Sequence, residues 1–442
     1  EQMAAKGILE GYPNGTFKGN RAMTRYEIAQ MVARMMANGV GGADADKLKA
    51  LIVEFAPELE ALGVKVDGFD GRLTKLEKGV GGLRIWGQMR FDVFSRKDVP
   101  QFADGGLNTA GWSGRGTGMN RGRIFMQKEL ANGVTWDMRW HAGKIDRYFV
   151  TAKDFLGAQG LTFRAGQYYL DFEGRDNLYK TNNFQDDDSF TLDTSVRGVQ
   201  LNYSRGGFEA EVNYFSQTGA GDKGVYTDNA SNENYAARLA YNGEKFRVSA
   251  NYLSFNGADA WDKDLGKTIF GSNWQLYYFA LGLKPFKGID LTGAYFKYKD
   301  LNDEDPKAWK IILDVDQSVL KFTSLRAEFA KMDEGFMLAN GIMCWHANAD
   351  YNKWGTLAHD TKYFKVEALQ KWGAKFQTYE RYAQAKADGD KAKELQLGVG
   401  FQYTPNLWFG LDYIKCDGQL FGGAIAPDAE DKIVRFRTIL NF

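Results

Sequence analysis

Apolar and polar side chains alternate along the last residues of the chain. Val434, Phe436 and Leu440 fall on one face of an extended strand, whereas Arg435 and Arg437 fall on the other. An apolar face opposite an arginine face suits a wall between lipid and water. The segment therefore predicts a membrane-spanning β-strand.

The same alternation recurs throughout residues 83–442. The runs 208–214, 395–403 and 407–413 are clear examples, and such runs approach the roughly 9–11 residues that a tilted strand needs to cross a bilayer. Short turns separate some runs and longer polar loops separate others, as in outer-membrane barrels. We predict an all-β transmembrane barrel over residues 83–442, with about 16–18 antiparallel strands. Residues 333–390 leave the number open, because they fit either a hairpin or a loop.

Residues 44–79 carry apolar side chains at helical steps of three and four. From Leu62 onward the steps follow the a/d repeat of a coiled coil, and Pro57 interrupts the helix before that point. We predict a short helix followed by a coiled-coil stalk that associates with other copies of the chain. The alternative is an amphipathic helix folded onto the barrel or onto the preceding domain. The predicted seam comprises Leu62, Val66, Phe69, Leu73 and Leu76.

Residues 1–40 combine turn chemistry with a helix start. Pro13, Asn14 and Gly15 favour a tight turn. Further on, Thr24 and Glu27 have the spacing of a capping box, followed by apolar residues at helical intervals. The pattern predicts a small helical module.

The two motifs in this module together resemble those of an S-layer homology (SLH) domain. The family pattern is G-[IY]-[IL]-x-G-Y-P-D-G-T-F followed by T-R-A-E, and residues 7–17 and 24–27 match it closely. Asn14 replaces the usual Asp, Tyr26 replaces Ala, and the domain's first stretch is missing. The resemblance implies binding of cell-wall glycans, with Arg25 as the leading contact because its planar, permanently charged fork suits carboxylate or pyruvylated sugars. The implied glycan-binding set is Arg25, Thr24, Glu27, Tyr12 and Asn14.

Composition narrows the class of protein. The chain holds 56 basic and 56 acidic side chains, so nothing suggests a nucleic-acid partner. Its mean hydropathy is −0.44, and no apolar run is long enough for a membrane helix. Cys344 and Cys416 are too few for a disulfide framework, and the sequence leaves open whether they pair.

Catalytic chemistry has little support in the sequence. The three histidines, His141, His346 and His359, lack a nucleophile placed beside a base. The sequence also contains neither zinc-ligand spacing nor a phosphate-binding loop. We predict no enzymatic activity, no cofactor and no metal.

A barrel of this size leaves an aqueous channel unless something fills it. If Leu83 begins the first strand, the third outer loop covers about residues 171–195 and is acidic. In layout this part resembles general diffusion porins, in which the third loop folds inward and faces a basic wall. The alternative is a solvated acidic loop. The predicted pore constriction comprises Arg84, Arg90, Arg121, Arg123, Arg139, Arg164, Arg435, Arg437, Asp186, Asp187 and Asp188.

The order of SLH domain, stalk and barrel resembles the SLH-tethered outer-membrane porins of diderm Firmicutes, the OmpM family. The resemblance implies a homotrimer with barrels in the outer membrane, in contact with lipid and lipopolysaccharide. Its SLH domains and stalk would lie in the periplasm and bind peptidoglycan, which carries polyamines in that group. Phe442 resembles the terminal signal read by the barrel-assembly machinery. Two alternatives remain: a purely structural tether with a closed lumen, and a trimeric surface adhesin anchored by a barrel.

Overall fold

The computed structural model divides into two compact units, Glu1–Gly82 and Leu83–Phe442. It describes residues 24–37, 45–62, 82–96, 107–109, 119–141, 143–185, 190–191, 194–217, 233–255, 260–262, 267–270, 274–301, 304–338, 355–421 and 424–442.

Three helices form the described part of the first unit: α1 (Arg25–Ala37), α2 (Ala45–Glu54) and α3 (Ala56–Ala61). Pro57 lies in the first turn of α3, where a proline is tolerated because that backbone N–H has no helical acceptor. An apolar cluster joins the three helices. Its buried members are Ala29, Val32, Ile52, Phe55 and Leu59.

This packing bears on the segment predicted to form the stalk. Residues 45–62 lie against α1, which corresponds to the alternative of a helix folded onto the preceding domain. Leu62 is the C-cap of α3 and is 37% exposed. The other seam positions, Val66, Phe69, Leu73 and Leu76, lie outside the described residues, so the coiled coil stays a prediction.

The second unit is a closed antiparallel barrel in which eighteen strands are described. Their bounds are β1 Arg84–Arg96, β2 Met119–Ala131, β3 Val134–His141, β4 Lys144–Lys153, β5 Leu161–Leu170, β6 Thr194–Arg205, β7 Phe208–Gln217, β8 Asn234–Asn242, β9 Phe246–Phe255, β10 Trp274–Phe286, β11 Ile289–Lys299, β12 Lys307–Asp316, β13 Thr323–Met332, β14 Thr361–Trp372, β15 Phe376–Ala387, β16 Asp390–Thr404, β17 Leu407–Phe421 and β18 Ala424–Asn441. Consecutive strands pair in sequence order, and β18 pairs with β1. The predicted barrel and its upper strand number are therefore confirmed.

The alternation predicted for the last strand is present in the barrel wall. Val434 and Phe436 are 47% and 44% exposed on the outer face, whereas Arg435 and Arg437 are each 1% exposed on the lumen face. The outer face thus offers apolar side chains to lipid, and the lumen face is polar or packed.

Connections differ in length between the two ends of the barrel. One end carries short turns such as 132–133, 206–207 and 405–406, and the other carries longer connections such as 171–193. The segment with two interpretations, 333–390, contains the hairpin of β14 and β15. Minor elements are the strands Leu107–Thr109, Ala260–Asp262, Lys267–Phe270, Met337–Leu338 and Gly355–Thr356, the short helices Phe172–Arg175 and Gln317–Leu320, and the 3₁₀ turn Phe155–Gly157.

In the described part of the chain, every helix is too short or too polar to traverse a bilayer.

Candidate functional site

The lumen face of the barrel has two different sectors. Side chains that point inward from β7–β18 are mostly buried, whereas those from β2–β5 are mostly half-exposed. Solvent therefore reaches the lumen wall along β2–β5. The lumen face along β7–β18 is covered in part by the connection between β5 and β6. We call this connection, residues 171–193, the third loop.

The third loop begins with a capped helical turn. The Asp171 carboxylate accepts hydrogen bonds from the Gly174 backbone N–H (2.8 Å) and from the Tyr179 hydroxyl (2.7 Å). This is the N-cap geometry that satisfies a free backbone donor. The turn directs the chain from the end of β5 into the lumen.

Asp176 attaches the loop to the wall at β8–β10. Its buried carboxylate accepts both ends of the Arg238 guanidinium (2.7 and 2.8 Å), as well as the hydroxyls of Ser249 (2.8 Å) and Tyr278 (3.1 Å). A bidentate charged pair supported by two hydroxyls is a strong and directional contact. We call this contact the Asp176 anchor.

Further along, the loop lies against β12 and β13. The Asn177 side-chain amide donates to Asp314 (2.9 Å), and the Asn177 carbonyl accepts from Arg326 (3.1 Å). Lys180 forms an ion pair with Asp314 at 2.9 Å. The chain therefore follows the wall around the lumen.

The part of the loop around Phe184 is bound to the wall at β15–β18. The Phe184 carbonyl oxygen accepts hydrogen bonds from Arg435 Nη2 (2.6 Å) and Arg437 Nη1 (3.2 Å). Asn182 shapes this turn, because its side-chain oxygen accepts from the backbone N–H groups of Phe184 (2.8 Å) and Gln185 (2.9 Å). We call residues 182–185 the loop tip.

Between the loop and the wall lies an apolar core inside the barrel. Loop residues Phe172, Leu178 and Phe190 are each at most 3% exposed and pack with lumen-facing aromatics. Phe336 and Met337, from the connection after β13, join the same cluster. One sector of the lumen is therefore packed with apolar side chains.

The structure separates the predicted constriction arginines into three groups. Arg435 and Arg437 are buried and paired with Asp412 and Asp92, and Arg139 is paired with Asp146. Arg90 is also buried, at 3% exposure. Arg121, Arg123 and Arg164 are half-exposed on the solvated sector, and Arg84 is exposed at the turn end.

Two of the described acids of the third loop, Glu173 and Asp176, are buried, whereas Asp171 is half-buried. Glu173 is 2% exposed and accepts the backbone N–H groups of Phe190 and Thr191, each at 2.8 Å, and Asp176 is 3% exposed in its anchor. Asp186, Asp187 and Asp188 lie outside the described residues. A field between these acids and the arginine wall therefore stays a prediction.

Sequence reasoning missed a row of charges across β12–β16. Ion pairs join Lys310 to Glu328 (2.6 Å), Glu328 to Lys365 (3.3 Å), and Arg381 to both Glu367 (3.1 Å) and Glu394 (2.9 Å). Their position on the lumen face was predictable, because the alternation of side chains along each strand places them there. Their pairing depends on strand register, which periodicity alone does not provide.

In the first unit, Thr24 and Glu27 form the expected capping box. The Thr24 backbone N–H donates to Glu27 Oε2 (2.7 Å), and the Glu27 backbone N–H donates to Thr24 Oγ1 (3.2 Å). The two residues thus have a structural role at the start of α1.

Arg25 is bound within the unit. Its guanidinium pairs with Glu58 (2.6 Å) and Glu54 (2.9 Å), donates to the Glu54 carbonyl (2.8 Å), and lies 4.7 Å from the Phe55 ring centre. Hydrogen bonds from Glu58 and Glu54 raise the pKa of Arg25, and the Arg25 hydrogen bond lowers the pKa of Glu58. Arg25 thereby holds α1 against α2 and α3. Tyr12 and Asn14 lie outside the described residues.

Cys416 takes part in a disulfide, and the chain's other cysteine, Cys344, lies outside the described residues. Within the described ranges no group of three or more His, Cys, Asp or Glu side chains is arranged to hold a metal ion.

The N-terminal part of the chain is similar to known sequences. The model of the S-layer homology domain family matches residues 1–29. Outer membrane protein SlpA of Thermus thermophilus is 35% identical over 91 residues, which cover 17% of this chain and 10% of that protein. Outer membrane protein alpha of Thermotoga maritima is 38% identical over 80 residues, which cover 17% of this chain and 20% of that protein. The chain thus spans at most a fifth of the length of these relatives.

Solved structures resemble the barrel. OccK10 (OpdN) of Pseudomonas aeruginosa aligns with a TM-score of 0.51 and 14% identity, covering 82% of this chain and 99% of that one. OccK3 (OpdO) of the same organism aligns with a TM-score of 0.51 and 11% identity, covering 84% and 98%. At such identities the likeness concerns the fold alone. The chain thus combines an N-terminal match to the S-layer homology domain with a barrel of the outer-membrane type. Its location in the outer membrane, predicted from the alternating strands, is confirmed by its relatives and its fold.

Proposed function

We propose that this outer-membrane barrel is a pore for passive diffusion of small hydrophilic solutes, and that the SLH domain tethers the outer membrane to peptidoglycan. The observation that carries the pore is the solvated lumen sector. Arg121, Arg123 and Arg164 point inward from β2 and β5, and each is half-exposed although it faces the inside of a closed barrel.

Barrel size supports the same proposal. Eighteen strands leave an aqueous channel wherever the interior is not filled. The third loop and its apolar core fill the sector along β7–β18, and the arginine-bearing wall along β2–β5 remains in contact with water. A polar, charged wall favours hydrated solutes over apolar ones.

The tethering half of the proposal rests on the SLH match to residues 1–29. Members of this family bind cell-wall polymers, and we propose peptidoglycan, in a polyamine-bearing form, as the ligand. We further propose a homotrimer held by the seam Leu62–Leu76 and inserted into lipid and lipopolysaccharide by the barrel-assembly machinery. Three SLH domains on one stalk would gain avidity through effective concentration.

Single-channel conductance in a planar bilayer tests the pore directly. The detergent-extracted protein should give stable openings that close in three equal steps if it is a trimeric porin. Openings in single steps would support a pore and overturn the trimer. A silent bilayer, with a folded barrel confirmed by heat-modifiable gel mobility, would leave the closed-lumen tether as the function.

A further inference from the structure

We infer that Phe184 sets the width of the pore, because its side chain anchors the third loop across the lumen. This inference rests on the proposed pore function. The residue has no place in the predicted constriction, which consists of charged groups. Its role follows from three features of its surroundings: a fitted ring pocket, a carbonyl held by two arginines, and a second anchor on the opposite arm of the loop.

The Phe184 ring occupies a pocket on the lumen face of β14–β18. It stacks on Tyr379, with ring centres 5.1 Å apart and an angle of 3°, and meets the edge of Trp408 at 5.0 Å. Ile439 and Leu369 complete the cluster. Phe184, Tyr379 and Trp408 are each 1% exposed.

Two glycines on β16 make room for this ring. A Cβ on Gly398 would lie 2.7 Å from Phe184 Cε1, and a Cβ on Gly400 would lie 2.9 Å from Phe184 Cζ. Glycine inside a strand is unfavourable unless another group approaches the backbone closely. The wall is therefore shaped for the ring of a loop residue more than 200 positions away in the sequence.

The Phe184 carbonyl adds polar contacts to the ring contacts. Arg435 and Arg437, which donate to it, are each balanced by a carboxylate, Asp412 and Asp92. A neutral acceptor suits arginines whose charge is already compensated. A backbone carbonyl accepts these hydrogen bonds, so they need no acidic residue at the loop tip. Phe184 therefore makes apolar contacts through its ring and polar contacts through its carbonyl.

The Asp176 anchor lies at β8–β10, and the Phe184 pocket lies at β14–β18. Between them the loop also contacts β12 and β13 through Asn177 and Lys180, and Phe184 fixes the loop tip. Loss of the Phe184 ring weakens the attachment of the loop tip, which keeps only its polar contacts, while the Asp176 anchor still holds the start of the loop. The lumen should then widen without loss of the barrel itself, whose strand pairing does not use Phe184.

Cysteine labelling tests the anchor without requiring conductance. Gln185 is 2% exposed beside the anchor, so a Gln185→Cys variant should react slowly with a hydrophilic maleimide. Adding Phe184→Ala should accelerate the reaction roughly 100-fold, the factor expected when a buried aromatic contact is lost. Equal rates in the two backgrounds would overturn the anchor. Cys416 is held in a disulfide, and mass spectrometry of the labelled peptide verifies that the label is at position 185.

Conductance tests the consequence for the pore. Phe184→Ala and Gly398→Ala should both raise single-channel conductance and admit larger neutral polymers, because one removes the ring and the other fills its pocket. Gly293→Ala is the matched control, since a Cβ there meets nothing within 4 Å. Accelerated labelling with unchanged conductance would overturn Phe184 as the width-setting residue. A silent wild-type channel would instead contradict the proposed function while the labelling result still stands.

Discussion

Phe442 is hydrogen-bonded to Gly87 in both directions, with N···O distances of 2.7 and 3.0 Å. The pair extends the contact between β18 and β1 that closes the barrel. The Phe442 ring also covers Gly87, so that a Cβ on Gly87 would lie 2.5 Å from Phe442 Cζ and 2.5 Å from the Arg123 carbonyl oxygen. A glycine is therefore required at this point of the seam.

Gly87→Ala should destabilise the closed barrel by about 1–3 kcal/mol, the usual cost of forcing an extra methyl group into a packed site. Urea unfolding in detergent measures the change. Gly293→Ala, in an open position, is the control and should stay near wild type. Equal unfolding midpoints for the two variants would contradict the packing argument.

The Phe442→Ala variant distinguishes the packing of the ring against Gly87 from a role of the residue in assembly of the barrel in cells. The variant keeps both backbone hydrogen bonds to Gly87 but loses the ring, so refolding in detergent should be nearly normal. If the residue is also the assembly signal, insertion into the outer membrane of cells should fall sharply. Normal insertion in cells would contradict the signal assignment and leave only the contact with Gly87.

Much of the barrel was predictable, because alternation is a local property. The faces of Val434 and Arg435 follow from the period of a strand, whatever the strand pairs with. The start of α1 was equally predictable, since Thr24 and Glu27 satisfy each other within one turn. These features depend on neighbours in sequence.

The loop contacts were not predictable in this way. Phe184 meets Gly398 and Trp408, and Asp176 meets Arg238, across separations that no periodic pattern spans. The acidic composition of the third loop predicted either an inward fold facing a basic wall or a solvated loop, and neither alternative identified the buried hydrogen bonds that Glu173 and Asp176 make. Which side chains contact each other inside the barrel depends on the strand register and on the course of the loop through the lumen. Both are set by the whole fold and not by the local sequence.

The Asp176 anchor gives a direct stability prediction. Asp176→Ala removes the bidentate partner of Arg238, whose side chain is fully buried. Removing one member of a buried pair costs about 3–5 kcal/mol, because the Arg238 charge then keeps only the longer ion pair with Glu209 (3.3 Å). Urea unfolding should show this loss. A double variant, Asp176→Ala with Arg238→Met, should recover part of it, and no recovery would mean that the cost has another source.

The ion selectivity of the pore tests whether the arginines of the solvated sector act on permeating ions. Replacing Arg121, Arg123 and Arg164 together by Gln should move the reversal potential in a salt gradient toward cation preference, because positive charge on the wall attracts anions. Deleting Asp186–Asp188 should move it the other way. Arg84→Gln, at the turn end of the barrel, is the control for a single arginine. An unchanged potential in both the triple and the deletion variants would remove these groups from the constriction.

Arg25 could contact the glycan directly or hold the helices that do so, and measurements of binding to sacculi distinguish these two roles. Arg25→Ala should reduce sedimentation of the protein with purified sacculi in either case. A Glu54→Gln, Glu58→Gln double variant distinguishes them, because it releases the Arg25 guanidinium without removing it. Weakened binding in the double variant would indicate a positioning role. Retained or stronger binding would indicate that Arg25 contacts the glycan directly.

The pair between Arg25 and Glu58 also predicts how the first unit responds to acid. The pKa of Glu58 lies below its ordinary value of 4.5 because of the Arg25 hydrogen bond, so its contribution to stability is present above pH 4.5 and is lost as the pH falls through the lowered pKa. The raised pKa of Arg25 adds no change in this range, since an arginine stays protonated throughout it. Amide exchange of α1 in the full-length protein, corrected for intrinsic rates, should therefore show protection that falls below pH 4.5. In a Glu58→Gln variant the protection should be lower at pH 7 and nearly flat on acidification. A parallel acid response in both proteins would mean that another carboxyl group controls the unit.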